Sequence, residues 1–495
     1  MELATTFVAH VRSHPSQLAV VSCVEALSYA QLYAVASDLA ESFTAAATSR
    51  VQDSSLHRVG ILCADPVDFM AGFLAGILSG CPVVVLDPSW PVQRLHGVIA
   101  ELGLQHVLCD SYHELLLKRA TPTLELIRAA RPGQPLNPAP VPVIDPRSEL
   151  VVVFTSGTTL APKAISRSRS SWAHTLRLGQ RILHAQPAEV NLIPGPLAHG
   201  LSLYAAFETL LTGGTALLTG RWDAQAAHAL LRAQQCTRIV AVPSILKLLL
   251  DHYPSLLTSV RYVVSGGEGL PRSLRQQLQS LESVVDVVEY YGTSEHSLIA
   301  YRNSTDAPPP SDAQFAGQLF PEVQLRIIPP KPDATTGEIF VRSPMLASDY
   351  LNPDITLRRQ DGYLSVNDYG KYCAGQLLLN GRAGGMLNLG GNNIYPTEIA
   401  QGLGKVLAVD QVQVLTEPVS GMAPRLIAFI EASKSQKFSD LTDLGERLNN
   451  YLPAYKVPHE LVILSSWPRT ESGKIATAQL LKARRQASSI RMVLR

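Results

Sequence analysis

Short apolar runs alternate along this chain with longer stretches in which apolar residues recur every three or four positions. The short runs are rich in β-branched residues and predict strands at residues 58–63, 82–86, 106–109, 237–242 and 260–264. The longer stretches have the spacing of amphipathic helices. This alternation predicts an α/β protein with a largely parallel sheet.

Two apolar stretches near the start of the chain allow more specific predictions. Residues 27–29 predict the end of a strand, and residues 30–43 predict the amphipathic helix that follows it. Residues 69–86 form the most apolar stretch, but glycine, serine and proline interrupt it. A helix followed by a buried strand therefore fits better than a membrane span. Residues 1–11 lack the basic and apolar segments of a signal peptide.

Composition narrows the class of protein. The 495 residues are enough for two or three domains with a large core. A net charge of +1, with no basic run among aromatic residues, argues against a nucleic-acid-binding protein. The six cysteines form no CxxC pair, which predicts free thiols in a reducing, cytoplasmic compartment. The 13 histidines show no metal-binding spacing.

A cluster of five glycines at residues 377–399 predicts a hinge. We therefore place a domain boundary close to residue 383. Residues 1–382 are expected to form a large N-terminal domain of packed α/β sheets. Residues 383–495 are expected to form a small, mobile C-terminal α/β domain. The proline-rich residues 121–147 are interpreted as a surface connection within the large domain.

The clearest candidate for ligand binding is the segment TSGTTLAPKA at residues 155–164, directly after four apolar residues. A glycine lets the backbone approach a ligand closely, and hydroxyls and turn amides donate hydrogen bonds to phosphate oxygens. A lysine adds a positive charge. A short hydroxyl-rich turn would also fit an ordinary loop. The candidate phosphate ligands are Thr155, Ser156, Gly157, Thr158, Thr159 and Lys163.

Other motifs follow this loop in a fixed order. They are PLAHG at 196–200, SGGE at 265–268, EYYGTSE at 289–295, DGYLSVND at 361–368, GR at 381–382, LGGNNIYPTEI at 389–399 and PRTESGKI at 468–475. With TSGTTLAPKA, they resemble the motifs of the adenylate-forming superfamily of acyl-CoA synthetases, peptide-synthetase adenylation domains and luciferases. The resemblance covers nearly the whole chain. It implies that ATP activates a carboxylic acid as an acyl adenylate, which is then transferred to a thiol.

The resemblance also implies a role for individual residues. Those expected at adenine are Gly267, Glu268, Tyr290, Tyr291 and Gly292. Asp368 and Arg382 would hold the ribose. Ser294 would contact the α-phosphate and Glu295 would help to hold Mg²⁺, because a carboxylate attacking a phosphate needs a hard cation between the anions. Lys474 is implied as the mobile catalytic lysine that neutralises charge at the α-phosphate.

The acid is expected to lie beside the PLAHG segment. The pocket candidates are His199, Gly200, Leu201, Gly266, Gly292 and Ser297, and His199 is also a catalytic candidate. A histidine that merely packs in a turn would look the same. Residues 191–207 contain no Asp or Glu, so a buried ammonium group would lack a counter-charge. The substrate is therefore expected to be a plain acyl or aryl acid and not an α-amino acid.

The identity of the thiol stays open. Gly390 and Gly391 are implied to line a tunnel for the pantetheine arm of CoA, because only small residues admit so thin an arm. A second hypothesis is a stand-alone enzyme that loads the phosphopantetheine of an acyl carrier protein. A third is a non-catalytic nucleotide-binding relative, which departures from the motifs at Leu160, Ala164, Val366, Asn367 and Gly384 would explain. The sequence also leaves a homodimer open.

Overall fold

The structure is a computed structural model. It describes residues 2–494 except 49–56, 91, 122, 132–137, 140, 156–161, 307–314, 331–335, 383–386, 390–391, 395, 410, 420–421, 433–440, 442, 450, 453–455, 471–474 and 485–489.

Helices alternate with strands through most of the first 280 residues. The helices are α1 (Leu3–Ser13), α2 (Tyr29–Thr48), α3 (Pro66–Ser79), α4 (Val92–Glu101), α5 (Ser111–Ala120), α6 (Arg169–Gly179), α7 (Gly200–Thr212), α8 (Ala224–Ala233), α9 (Pro243–His252), α10 (Arg272–Gln279), α11 (Pro396–Leu407), α12 (Leu444–Asn449) and α13 (Thr477–Ala483).

The strands fall into sheets of very different size. They are β1 (Leu18–Val21), β2 (Ala26–Ser28), β3 (Val59–Leu62), β4 (Val83–Val85), β5 (His106–Cys109), β6 (Glu125–Ile127), β7 (Glu149–Thr155), β8 (Lys163–Ser168), β9 (Val190–Ile193), β10 (Thr215–Leu218), β11 (Arg238–Ala241), β12 (Tyr262–Gly266), β13 (Asp286–Thr293), β14 (Ser297–Arg302), β15 (Phe315–Leu319), β16 (Gln324–Ile328), β17 (Gly337–Arg342), β18 (Asp349–Tyr350), β19 (Arg358–Gln360), β20 (Tyr363–Ser365), β21 (Asp368–Cys373), β22 (Gln376–Arg382), β23 (Leu387–Leu389), β24 (Asn392–Ile394), β25 (Val412–Val419), β26 (Met422–Glu431), β27 (Glu460–Leu464) and β28 (Ile490–Val493).

Two large sheets carry the first 382 residues. One runs in the order β19-β20-β17-β21-β22-β15-β14-β13-β12-β11-β9-β10-β1-β2, and the other in the order β18-β8-β7-β4-β3-β5-β6. Strands β1, β10, β9, β11, β12 and β13 pair in parallel, as do β3, β4, β5, β6 and β7. From β13 to β22 the pairing is antiparallel. The expectation of a largely parallel sheet therefore holds only for these two groups of parallel strands.

The five strand predictions correspond to β3, β4, β5, β11 and β12, with bounds that differ by up to two residues. The predicted strand end and helix at residues 27–43 are β2 and α2, and residues 69–86 contain most of α3 and all of β4. Among the residues that the structure describes, no helix has both the length and the apolar character needed to cross a membrane. Four of the six cysteines are buried, and all six are free thiols.

The last hundred residues form a smaller α/β unit. Strands β25, β26, β27 and β28 make a four-stranded sheet. Side chains from α11, α12 and this sheet share a separate core, which includes Leu403, Leu426, Leu448 and Leu461. The exact boundary at residue 383 stays a prediction, since residues 383–386 lie outside the described part.

Candidate active site

A cavity of about 1140 Å³ lies where the ends of β7, β12 and β13 meet the starts of α7 and β14. Several segments far apart in the sequence contribute to its wall. Of the predicted site residues, the wall includes Thr155, His199, Gly200, Leu201, Gly267, Glu268, Tyr290, Tyr291, Gly292, Ser294, Glu295, Ser297 and Asp368. The structure therefore brings most of the described candidates together.

The turn after β12 forms one side of the cavity. Gly267 adopts a left-handed backbone with φ of 82°, which a side chain would strain. The Leu270 amide donates a hydrogen bond of 2.8 Å to the buried Glu289 carboxylate, which fixes the end of this turn. Gly266 lies beneath Tyr290, and a Cβ at Gly266 would stand 2.7 Å from that ring. Gly266 thus supports a wall residue and is not itself among the lining residues.

Tyr291 and Asp368 meet on the same side. The Tyr291 hydroxyl donates a hydrogen bond to the Asp368 carboxylate, which is buried at the start of β21. Asp368 pairs with Arg382 in the antiparallel register of β21 and β22. Sheet pairing therefore explains how residues 14 positions apart come together. Val366 packs against the core, and Asn367 takes a left-handed backbone with φ of 62°.

We expect Asp368→Asn to weaken binding of AMP by about 10-fold or more, because a hydrogen bond that involves a charged group contributes about 1.5–3 kcal/mol. Calorimetry with AMP and with 2′,3′-dideoxy-AMP isolates the ribose hydroxyls, so only the AMP affinity should fall. Asp361→Asn is the matched control, because that carboxylate is exposed and pairs with Arg326. Equal losses for both nucleotides would contradict the ribose role.

The turn between β13 and β14 presents Ser294 and Glu295. Ser297 has a left-handed backbone with φ of 65° and ends the turn, and a Cβ at Gly292 would lie 2.2 Å from the Ser297 carbonyl oxygen. The Glu295 side chain is buried and accepts a 2.8 Å hydrogen bond from the Tyr350 hydroxyl. The Ala347 amide donates to the Glu295 carbonyl oxygen at 2.8 Å. The turn is therefore held by its neighbours at several points.

Only the flanks of the predicted phosphate loop are described. Thr155 ends β7 and pairs with Lys163 at the start of β8. The Lys163 ammonium lies 5.3 Å from the centre of the Tyr350 ring and is not among the lining residues. Ala164 is buried, and its amide donates to Asn352. The other loop candidates, Ser156, Gly157, Thr158 and Thr159, lie outside the described residues, as does Leu160.

The first turn of α7 forms the opposite wall. His199 precedes the helix and lies with Nε2 3.2 Å from Oδ2 of Asp87, which belongs to the turn after β4. Although desolvation opposes it, hydrogen bonds from His199 and Ser89 lower the pKa of the Asp87 carboxyl. A Cβ on Gly200 would stand 3.9 Å from the Ser294 hydroxyl oxygen. The predicted acid wall and the predicted α-phosphate contact thus face each other.

The lowered pKa of Asp87 leads to a pH-dependent prediction. A carboxyl whose pKa is lower in the folded state stabilises the fold above its unfolded pKa, and this contribution is lost as the pH falls through the folded value. We therefore expect Asp87→Asn to lower the thermal midpoint at about pH 7 and to have a smaller effect at about pH 4. Glu282→Gln serves as an exposed control. A deficit that grows on acidification would contradict the assignment.

Apolar and hydroxyl side chains continue this wall into the cavity. They include Trp172, Thr175, Tyr204, Ile245 and Leu298. The Thr175 and Ser297 hydroxyls are hydrogen-bonded at 2.9 Å.

An ion pair lies behind Tyr204. The Tyr204 hydroxyl donates to Glu208 at 3.0 Å, and Arg238 donates to the same carboxylate at 2.7 Å. Glu208 and Arg238 are almost completely buried. Burial, followed by the nearby Glu208 charge, raises the pKa of Tyr204 well above its usual value. Tyr204 therefore stays neutral and fixed in the wall.

Sequence reasoning missed Arg167. This side chain is only 5% exposed and lines the cavity from β8. Desolvation lowers the pKa of its guanidinium to about 10. Residues 163–168 read KAISRS, so an arginine at a buried position of a short strand was the available signal. Asp87 was also missed, although it lies in the segment LDPSWP at residues 86–91, directly after the apolar residues of β4.

The small C-terminal unit contributes the last part of the wall. Thr470, Ile475, Ala476 and Thr477 line the cavity, and the Ala476 amide donates to the Pro468 carbonyl oxygen at 2.8 Å. These residues flank Lys474, which lies outside the described residues. Gly384, Gly390 and Gly391 also lie outside them, and nothing is described for the Arg382 side chain.

Comparison with known proteins finds a matching family model, and relatives that match nearly the whole chain. The model of the AMP-binding enzyme family matches residues 7–351. VraA of Staphylococcus epidermidis, provisionally assigned as a long chain fatty acid–CoA ligase, is 26% identical over 474 residues, which cover 95% of this chain and 96% of VraA. YhfT of Bacillus subtilis, an uncharacterized acyl–CoA ligase, is 27% identical over 493 residues, which cover 97% of this chain and 98% of YhfT.

The fold has counterparts among solved structures. ATP-bound MatB from Rhodopseudomonas palustris matches with a TM-score of 0.81 at 20% identity, over 97% of this chain and 98% of MatB. The predicted α/β fold with a large and a small domain is confirmed, and so is the predicted class of adenylate-forming acid–thiol ligase. The chain belongs to the AMP-binding enzyme family, within the adenylate-forming superfamily.

Proposed function

We propose that this enzyme activates an acyl or aryl acid with ATP as an acyl adenylate and transfers the acyl group to the thiol of CoA. One observation carries the proposal: a single cavity joins the Gly267 turn, the Tyr291–Asp368 pair, the Ser294–Glu295 turn and the His199–Gly200 wall. This arrangement supports a nucleotide and a carboxylic acid bound side by side, with the α-phosphate proposed to lie near Ser294.

The first half-reaction joins the two substrates. A carboxylate oxygen attacks the α-phosphorus of ATP, the bond from that phosphorus to the pyrophosphate oxygen breaks, and pyrophosphate leaves. Ser294 donates a hydrogen bond to the α-phosphate in this scheme, while Lys163 and the hydroxyls after Thr155 hold the β- and γ-phosphates. Most of the rate enhancement comes from positioning and from electrostatic stabilisation of the transferred group.

Lys474 has the role of neutralising charge on the transferred α-phosphoryl group. Support comes from its neighbours, since Thr470 and Ile475 line the same cavity. In the second half-reaction, the thiol sulfur attacks the acyl carbon, its proton passes to solvent, and the carbon–oxygen bond to AMP breaks. Rotation of the small domain about residues 382–385 would admit the thiol along Gly390 and Gly391.

Mg²⁺ suits this site. The Glu295 carboxylate is buried in the cavity wall beside Ser294, and a carboxylate with nearby phosphate oxygens is the oxygen-rich ligand set that this cation prefers. When bound, the cation would offset the negative charge of the phosphates. Tyr350 donates a hydrogen bond to Glu295 and thereby orients the carboxylate.

The choice of acid follows from the partners of the wall carboxylates. Of the five described carboxylates in the wall, Asp87 pairs with His199, Glu289 with Arg275, Glu295 with Tyr350 and Asp368 with Tyr291, and the proposal assigns the fifth, Glu268, to the adenine side. Trp172, Ile245 and Leu298 instead offer apolar surface. An acyl chain or aromatic ring is therefore favoured over the ammonium group of an α-amino acid.

CoA is the proposed thiol because VraA and YhfT, which match nearly the whole chain, are both assigned as CoA ligases. The experiment is acid-dependent ATP–pyrophosphate exchange over fatty, aryl and amino acids, followed by thioester formation with CoA and with a phosphopantetheinylated carrier protein. Exchange with an acyl or aryl acid and transfer to CoA would support the proposal. Transfer to the carrier alone would establish the second hypothesis, and no exchange with any acid would establish a non-catalytic relative.

A further inference from the structure

Arg167 holds the turn that carries Ser294 and Glu295. It stands on β8, and its Nη1 donates a 3.1 Å hydrogen bond to the carbonyl oxygen of Ser294. Its Nη2 donates to the carbonyl oxygen of Met345. One guanidinium thus joins β8 to two segments that lie 127 and 178 residues further along the chain.

Both hydrogen bonds satisfy backbone carbonyl oxygens of segments that meet beside the turn of Ser294 and Glu295. The Ser294 carbonyl belongs to the peptide unit between Ser294 and Glu295, so its position sets where both side chains point. The Met345 carbonyl lies two residues before Ala347, whose amide donates to the Glu295 carbonyl oxygen at 2.8 Å. Tyr350, slightly further along, donates to the Glu295 carboxylate. Arg167 therefore closes a ring of contacts around Glu295.

An arginine has a property here that lysine lacks. The planar guanidinium donates in two directions at once, whereas a lysine ammonium on a flexible stem would reach one carbonyl well. Burying a guanidinium is costly, and within the part of the chain that the structure describes its Nε atom has no hydrogen-bond partner. An apolar residue at this inward position of β8 would avoid that cost. The charge must therefore contribute something beyond packing.

We propose that Arg167 is a positioning residue for the α-phosphate site: it fixes the Ser294–Glu295 peptide so that the Ser294 hydroxyl faces the transferred phosphoryl group. Arg167 touches no reacting atom in this arrangement and acts through Ser294 and Glu295. The inference rests on the proposed function and adds a residue to it.

The test is Arg167→Lys, with binding of adenosine and of AMP measured by calorimetry. The two ligands differ only in the α-phosphate. We expect AMP affinity to fall by about 10-fold, which is the order expected for loss of a hydrogen bond to a charged group. Adenosine affinity should change by less than about 2-fold. The turnover number in ATP–pyrophosphate exchange should fall, with the KM for the acid unchanged.

Arg169→Lys is the matched control. Arg169 is also buried, and it also donates to backbone carbonyl oxygens, those of Gly76 and Ile77, but it does not line the cavity. Its replacement should leave the ratio of AMP to adenosine affinity unchanged. Arg167→Met, if it folds, should reproduce the effect of Arg167→Lys.

The outcomes separate the two proposals. If wild-type protein exchanges pyrophosphate and Arg167→Lys keeps the wild-type affinity ratio, the positioning role is wrong and the proposed function stands. Parallel losses of adenosine and AMP affinity would also overturn the positioning role of Arg167, because they would indicate a general structural role. If wild-type protein binds both nucleotides but catalyses no exchange with any acid, the proposed function fails independently of Arg167.

Discussion

Lys474→Ala is expected to lower the rate of acid-dependent ATP–pyrophosphate exchange by about 10²- to 10³-fold, the loss typical of removing one preorganised group that stabilises charge in a transition state. Thr470 and Ile475, the described residues that flank the Lys474 segment, line the cavity, and the proposed role places the ammonium group at the α-phosphate. Pre-steady-state measurement of acyl-adenylate formation gives the rate directly.

The same variant should still convert a supplied acyl adenylate to thioester at a rate close to that of the wild type. Attack of the thiol at the acyl carbon places no new charge on the α-phosphorus, so this lysine has little to stabilise there. Lys482→Ala, an exposed lysine on α13, is the control and should leave both rates unchanged. Equal losses in the two half-reactions would contradict the role.

Arg238→Met is expected to lower the free energy of unfolding by about 3–5 kcal/mol, which is the usual cost of removing one partner of a buried ion pair. Arg238 and Glu208 are 1% and 0% exposed, so the remaining carboxylate would be left without its cation in the core. Urea denaturation at about pH 8 measures the loss. Tyr204, which lines the cavity, would keep its hydrogen bond to Glu208.

The double variant Glu208→Met/Arg238→Met separates charge from packing. Replacing both partners by apolar residues of similar volume removes the unpaired charge, so it should restore much of the lost stability. Burial already raises the pKa of Glu208 despite the neighbouring Arg238. A carboxyl whose pKa is raised by folding contributes to the free energy of unfolding at low pH, and this contribution is lost as the pH rises through the folded value. The loss of stability caused by Arg238→Met should therefore be smaller at about pH 5. If the free energy of unfolding of Arg238→Met were within about 1 kcal/mol of the wild-type value, the result would contradict a stabilising role for this buried ion pair.

Strands β11 and β12 beside the site could be predicted because each is encoded locally. An apolar run such as residues 260–264 is long enough for one strand, and the double glycine after it marks its end. Strand direction could not be predicted this way. Strands β12 and β14 have similar apolar character, yet β13 pairs in parallel with the first and antiparallel with the second.

The site was predictable where a motif carries its own spacing, and not where contacts join distant segments. Asp368 and Arg382 are register partners, and that pairing is implicit in two neighbouring strands. The contact between Asp87 and His199 spans 112 residues, and that between Arg167 and Ser294 spans 127. Each of these depends on how two sheets pack, which a single sequence does not encode locally. At Gly266 a local motif was itself misleading. The motif predicted that Gly266 lines the pocket, but the Tyr290 ring covers Gly266.

The most direct test of the central claim is the fate of oxygen in the carboxylic acid. An acid that supports exchange is labelled with oxygen-18 in both carboxylate oxygens and converted to thioester, and the released AMP is analysed by mass spectrometry. If a carboxylate oxygen attacks the α-phosphorus and the thiol then attacks the acyl carbon, one labelled oxygen must appear in AMP. Unlabelled AMP, or ADP with labelled inorganic phosphate, would contradict adenylation.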